Sequence, residues 1–179
     1  MFSQNKPRLY IVYYRRGTPG TYHVALVHAP KRPAAWDPAP DPDPEHKSVG
    51  DCVQYHITNL PSPDEPTGER WRYETPAVFL RTERVVAALL LGKPADRGRA
   101  ALAASLRGVP VVQGDRNFRC KNWVWLAIDK LVADGILGPL PGSGQQLFQV
   151  GLDLANSVVQ ASSWDKPLPM CDVDGNRIQ

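Results

Sequence analysis

The sequence predicts an α+β fold, with an antiparallel sheet of about five strands packed with helices in a single domain over residues 1–179. Two observations carry this. β-branched and aromatic runs separated by turn residues occupy the chain as far as Leu91. Beyond it, apolar residues recur at spacings of three and four.

Arg8 to Tyr14 is β-rich and reads as the first strand, and Arg15-Arg16-Gly17-Thr18-Pro19-Gly20 is a turn. Thr21 to His28 is the second strand, so the pair forms a hairpin. Alternation puts His23, Ala25 and Val27 on one face and Tyr22, Val24 and Leu26 on the other. Residues 30–48 hold six prolines, which rules out a helix or an inner strand and marks a loop insertion. Asp51 to Ile57 is the third strand, with Cys52, Gln54 and His56 sharing a face, and Arg70 to Glu74 is the fourth. Phe79 to Leu91 has mixed periodicity. Its apolar half, Val85 to Leu91, reads as a central strand, with a helix as the alternative.

Ala95 to Leu106, rich in Ala, Leu and Arg, is helical, and Val109 to Asp115 is a short extended piece. A helix from about Arg119 to Ala133 stops at Gly135, the residue type that ends helices in a left-handed conformation. A last helix covers about Gly144 to Ser162, and residues 164–179 are a fraying tail.

A 42% hydrophobic content suits a globular core. No run of about 18 apolar residues offers a membrane span, and the N-terminus lacks a signal peptide's apolar segment. Cys52, Cys120 and Cys171 are odd in number and lack metal-ligand spacing, as do the four scattered histidines. The expected setting is reducing and cytoplasmic, with neither membrane nor metal. The net charge of +3 is mild, but Lys93, Arg97, Arg99, Arg107, Arg116, Arg119 and Lys121 face only Asp96 and Asp115 over the same stretch. Such a run suits a phosphate-bearing partner, or is a solvated helix face.

The most informative residue is Cys120, which opens the helix ending at Gly135. A thiol there meets the positive end of the helix dipole, and Arg119 and Lys121 add to it, so the thiolate is favoured. His23 and His56, on neighbouring strands, are its candidate base and orienting partner, in either order. The helix's first N–H groups supply oxyanion donors, with Asn117 and Asn122 as possible side-chain support. The competing reading makes Cys120 a small core residue and Asn122 a cap.

Tyr22-His23-x-Ala25-Leu26-Val27 on an early strand, followed by a cysteine opening a later helix, resembles the circularly permuted papain-like thiol enzymes of the lecithin:retinol acyltransferase type. That resemblance implies Cys120 as nucleophile, His23 as base and His56 near the third polar position. In that family the second histidine follows the first more closely than here.

Lys6-Pro7-Arg8-Leu9-Tyr10, Arg16-Gly17, Tyr22 to Leu26, Pro110 to Asp115 and Cys120-x-x-Trp123-Val124 resemble a group of small fungal proteins that includes the arginine-containing cyclodipeptide synthases. This implies that aminoacyl groups are taken from arginyl-tRNA and a second charged tRNA through a thioester on Cys120, and are released as a diketopiperazine. The tRNA ester is already activated, so no cofactor is needed. The basic run from Lys93 to Lys121 would hold tRNA phosphates, and Glu74 or Asp115 would receive the substrate guanidinium. Two other classes remain: a thiol peptidase or amidase using the same pair, and a non-enzymatic domain binding RNA or protein.

Overall fold

The computed structural model describes residues 6–36, 49–95, 98–161 and 167–178. In chain order its elements are β1 (Arg8–Arg15), β2 (Tyr22–Ala29), β3 (Cys52–Pro61), β4 (Glu69–Glu74), β5 (Ala77–Val78), β6 (Val85–Gly92), α1 (Gly98–Arg107), α2 (Cys120–Ala133), α3 (Gly144–Gln160), β7 (Met170–Cys171) and β8 (Arg177–Ile178). The fold is α+β, but the sheet has eight strands in the order β4-β3-β2-β1-β6-β7-β8, with β5 beside β3, rather than about five. The five expected strands are the long ones. The other three have two residues each, too few for alternation to register in a sequence. Every pair is antiparallel except β6–β7.

Val85 to Gly92 is a strand because it has neighbours on both edges and is almost entirely buried. A strand covered on both faces reads as an unbroken apolar run, which is why its periodicity is mixed. The tail does not simply fray, contrary to expectation. Met170–Cys171 runs parallel to β6, and Cys171 is fully buried. Val109 to Asp115 forms no strand. Instead the Gln113 side chain accepts from the N–H of Trp71 at 2.8 Å and donates to its carbonyl at 2.8 Å, pairing the outer edge of β4.

The two faces of the sheet bury different cores. Leu9, Ile11 and Tyr13 of β1, Val24 and Leu26 of β2, and Tyr55 and Ile57 of β3 pack with α1, α2 and α3. The opposite face buries Tyr10, Val12, Val27 and Cys52 under Leu80, Leu168 and Met170, with no helical residue in that core. Gly151 lets α3 approach β1. A Cβ there would strike the ring of Tyr13, whose hydroxyl donates to the Phe148 carbonyl at 2.7 Å. Gly135, at φ 67°, closes α2 as expected. Among the described residues no helix is long and apolar enough to cross a membrane.

Candidate active site

The helix-free face carries a hydrogen-bonded pair of imidazoles. The β2–β3 register pairs Val27 with Gln54. Continued along the strands, it sets His56 beside Ala25 and His23 diagonally across, on the same face. The rings meet there, His23 Nε2 to His56 Nδ1, at 2.8 Å. On the other side of His56, β4 places Glu74 directly opposite. Glu74 Oε2 lies 3.8 Å from His56 Nε2, near enough for charge attraction and too far for a hydrogen bond. Arg72 steadies that carboxylate, its Nε donating to Oε1 at 2.7 Å.

Glu74 selects the tautomer with hydrogen on His56 Nε2. His56 Nδ1 then accepts from His23 Nε2–H, and the lone pair of His23 Nδ1 is left over. Burial lowers the His23 pKa to about 3, and His56, Arg16 and Arg84 push the same way. Burial also lowers that of His56, against the pull of Glu74. Both rings are therefore neutral at neutral pH.

A pocket of about 540 Å³ opens over this pair. Gln54 and Thr58 continue the β3 face beneath it, Tyr14 flanks it, and Arg15, Arg16 and Arg84 line it at the β1–β2 turn and the start of β6. Among the described residues that line it there is no carboxylate. The buried Oη of Tyr14, Oγ1 of Thr58 and Nε2 of His56 have no hydrogen-bond partner. Burial, with a smaller push from Cys52, raises the Tyr14 pKa, so its hydroxyl stays a donor.

Cys120 does open α2, at the top of the stripe formed by Trp123, Val124, Ala127, Ile128 and Leu131. It is only 4% exposed and shares the helix-side core with Val24 and Ile57. His23 points to the other face. The expected thiol–imidazole contact is therefore not made, and among the described residues no hydrogen bond joins Cys120 to His23 or His56. The sulfur instead accepts from Arg16 Nη2 at 3.7 Å. Arg16 also lines the pocket, whereas Cys120 does not.

The remaining candidates divide. Asn122 Oδ1 accepts the Arg119 N–H at 2.9 Å, so it caps α2 and is not oxyanion support. Asp115 Oδ1 accepts the Asn117 N–H at 2.8 Å within an exposed turn, which places both residues outside the pocket. Glu74 lies behind His56, engaged by Arg72, and not in a cradle for a guanidinium. Lys93, Arg99, Arg107, Arg116 and Lys121 are exposed and Arg119 is half-buried. They form no single patch. Lys93 follows β6 where Gly92 pairs with Leu9, whereas Cys120 and its neighbours lie at the Arg16 end of β1. An eight-residue strand separates those ends by about 26 Å. Arg97 and residues 37–48 of the proline-rich insertion lie outside the described residues.

Tyr14, Arg16, Thr58 and Arg84 carry no strong signature in the sequence. The only local signals are the Arg15-Arg16 doublet beside a glycine and the polar alternation Gln54, His56, Thr58. Among the described residues no group of His, Cys, Asp and Glu forms a metal site. Residues 6–145 match a family of unknown function, DUF6914. No curated protein and no solved structure matches the chain.

Proposed function

The chain belongs to the DUF6914 family, and we propose that it is an acyl-transfer enzyme whose reaction site is the pocket over His23 and His56. The observation that carries this reading is the His23–His56 hydrogen bond backed by Glu74 on the pocket floor. A base with a free lone pair, an orienting ring and a carboxylate behind it are what proton removal from an attacking group requires. A proton taken at His23 Nδ1 displaces the Nε2 proton toward His56. Positive charge then arises on the ring beside Glu74, where a carboxylate offsets desolvation.

The specific form is synthesis of an arginine-containing cyclodipeptide from arginyl-tRNA and a second charged tRNA, on a permuted papain-like arrangement. The Cys120 sulfur attacks the ester carbonyl, the C–S bond forms, the bond to ribose oxygen breaks, and that oxygen leaves with a proton. The amine of the second aminoacyl group then displaces the sulfur, and the free amine of the resulting dipeptide attacks its own ester carbonyl, closing the ring as the ribose oxygen of the second tRNA leaves with a proton. What supports Cys120 is its place at a helix start under Arg16, a residue that also lines the pocket. Arg16 must swing off the sulfur for this route.

A second reading is favoured by the absence of Cys120 from the pocket lining. In it the amine attacks the ester directly, with His23 as base and no thioester. Incubation with the two charged tRNAs and mass spectrometry of products and protein tests both. The first reading expects an acyl group on Cys120 and no product from Cys120→Ala. The second expects Cys120→Ala to turn over and His23→Ala to be inactive. Free amino acid in place of a cyclic dipeptide identifies a hydrolase. Wild-type protein that leaves both charged tRNAs untouched ends the proposal.

A further inference from the structure

Acyl transfer leaves several pocket groups without a role. Tyr14 Oη, Thr58 Oγ1 and His56 Nε2 are buried without hydrogen-bond partners, and His56 is only 8% exposed. Buried polar groups are rarely left so, and two unpartnered hydroxyls on residues lining one cavity, Tyr14 and Thr58, point to a ligand that completes them. Charge narrows its chemistry. Among the described residues, the cavity is lined by three arginines and two histidines and by no acid. Among the described residues, Arg84 has no ion-pair partner, and Arg16 meets only the Cys120 sulfur. Their positive field reaches the His23 ring, so they surround the same volume. A substrate guanidinium would be repelled there, so the arginyl side chain of the proposed reaction must lie outside this volume. An oxyanion would be held, because guanidinium groups favour oxygen anions with two acceptors. The two hydroxyls add partners for a polyhydroxylated body, and about 540 Å³ suits a ligand of nucleotide size.

We propose that this pocket binds the ribose phosphate of a nucleotide, Arg16 and Arg84 donating to the phosphate while the Tyr14 and Thr58 hydroxyls hydrogen-bond the remainder. The inference rests on the acyl-transfer reading in taking the pocket as the substrate's seat, and it names the part of the substrate seated there. Ribose phosphate has two sources, a free nucleotide and the 3′ end of an RNA. Arg15 closes the same end through its backbone, its N–H donating to the Arg84 carbonyl at 2.8 Å, so the end of β1 and the start of β6 are joined where Arg16 and Arg84 both line the pocket.

The test is calorimetric titration of the full chain at constant ionic strength and neutral pH with AMP, adenosine and a CCA trinucleotide. AMP is expected to bind at least about tenfold more tightly than adenosine, since adenosine has no phosphate for the guanidinium groups to hold. Arg84→Gln should weaken AMP by about tenfold or more, and Arg84→Lys by less, because it keeps the charge. Thermal melts establish that each variant is folded. Trinucleotide binding tighter than AMP identifies an RNA end, and AMP binding as tight as the trinucleotide identifies a free nucleotide. Adenosine binding as tightly as AMP, an unchanged AMP affinity in Arg84→Gln, or no binding of AMP and trinucleotide alike overturns the inference. Turnover plays no part in the titration. AMP binding without acyl transfer rejects the reaction alone, and acyl transfer without AMP binding rejects the site alone.

Discussion

A histidine that is neutral when buried ties the stability of the fold to pH. The His23 pKa falls from the ordinary 6.5 to about 3. Between those values the unfolded chain binds a proton that the folded chain does not, so stability rises with pH across that window. The contribution is complete above about pH 6.5 and fades as pH drops toward 3, amounting to about 2 kcal/mol lost near pH 5. Asp134, held below its ordinary 3.8 by the Ser105 hydroxyl and Lys130, titrates lower and does not interfere. His28 and His56 shift in the same direction as His23, so the comparison is between variants. Melts at neutral pH and near pH 5 should show a smaller acid loss for His23→Gln than for wild type; equal losses would remove His23 as the source. The cysteines give a second prediction. Burial raises the pKa of Cys52 to about 12 and of Cys171 to about 11, and both are 1% exposed. Iodoacetamide at neutral pH should reach Cys120 first and the other two only on unfolding, as peptide mapping of a time course would show.

Among the elements, β4 is the one whose protection depends on a single side chain. It is the outer strand, and Gln113 satisfies both backbone groups of Trp71 as a neighbouring strand would. Gln113→Ala should cost about 1 kcal/mol, read as a lower urea midpoint at unchanged slope. It should also raise aggregation at high protein concentration, because the edge is freed for pairing. An unchanged midpoint would mean that water replaces the amide at no cost. The effect reaches the site, since Glu74 is the last residue of that strand and stands opposite His56.

The whole molecule is a sheet with Cys120 on one side and the His23–His56 pair on the other, and Arg16 at the β1–β2 turn meets the Cys120 sulfur and lines the pocket. This geometry sorts the basic residues. Arg116 and Lys121 stand four residues before and one after Cys120 in the chain, whereas Lys93 and Arg99 lie toward the far end, where burial and then the Arg99 charge lower the His28 pKa. Charged tRNA seated over the pocket should bind more weakly to Arg116→Glu and Lys121→Glu. The salt dependence of log affinity should flatten by roughly 0.7 to 0.9 for each phosphate no longer neutralised. Lys93→Glu and Arg99→Glu should change both quantities less. Filter binding across a salt titration measures this, and equal weakening by the two pairs would contradict a seat at the Arg16 end.

Local pattern in the sequence was enough to determine four of the long strands, α2 with its stop at Gly135, the course of α3, and the face shared by Gln54 and His56, because alternation and three-to-four spacing are properties of neighbours in the chain, while Val85 to Leu91 read as a strand with a helix still open. It also put His23 with Ala25 and Val27, correctly. Which side of the sheet α2 would cover was not legible, because β2 is apolar on both faces, Val24 and Leu26 on one and Ala25 and Val27 on the other. Tertiary packing laid the helices against Val24 and Leu26, and that choice parted Cys120 from His23. The 2.8 Å imidazole contact, the pocket and the strands β7 and β8 were likewise decided only in three dimensions. Each joins residues far apart in the chain, and two-residue strands carry no period to read.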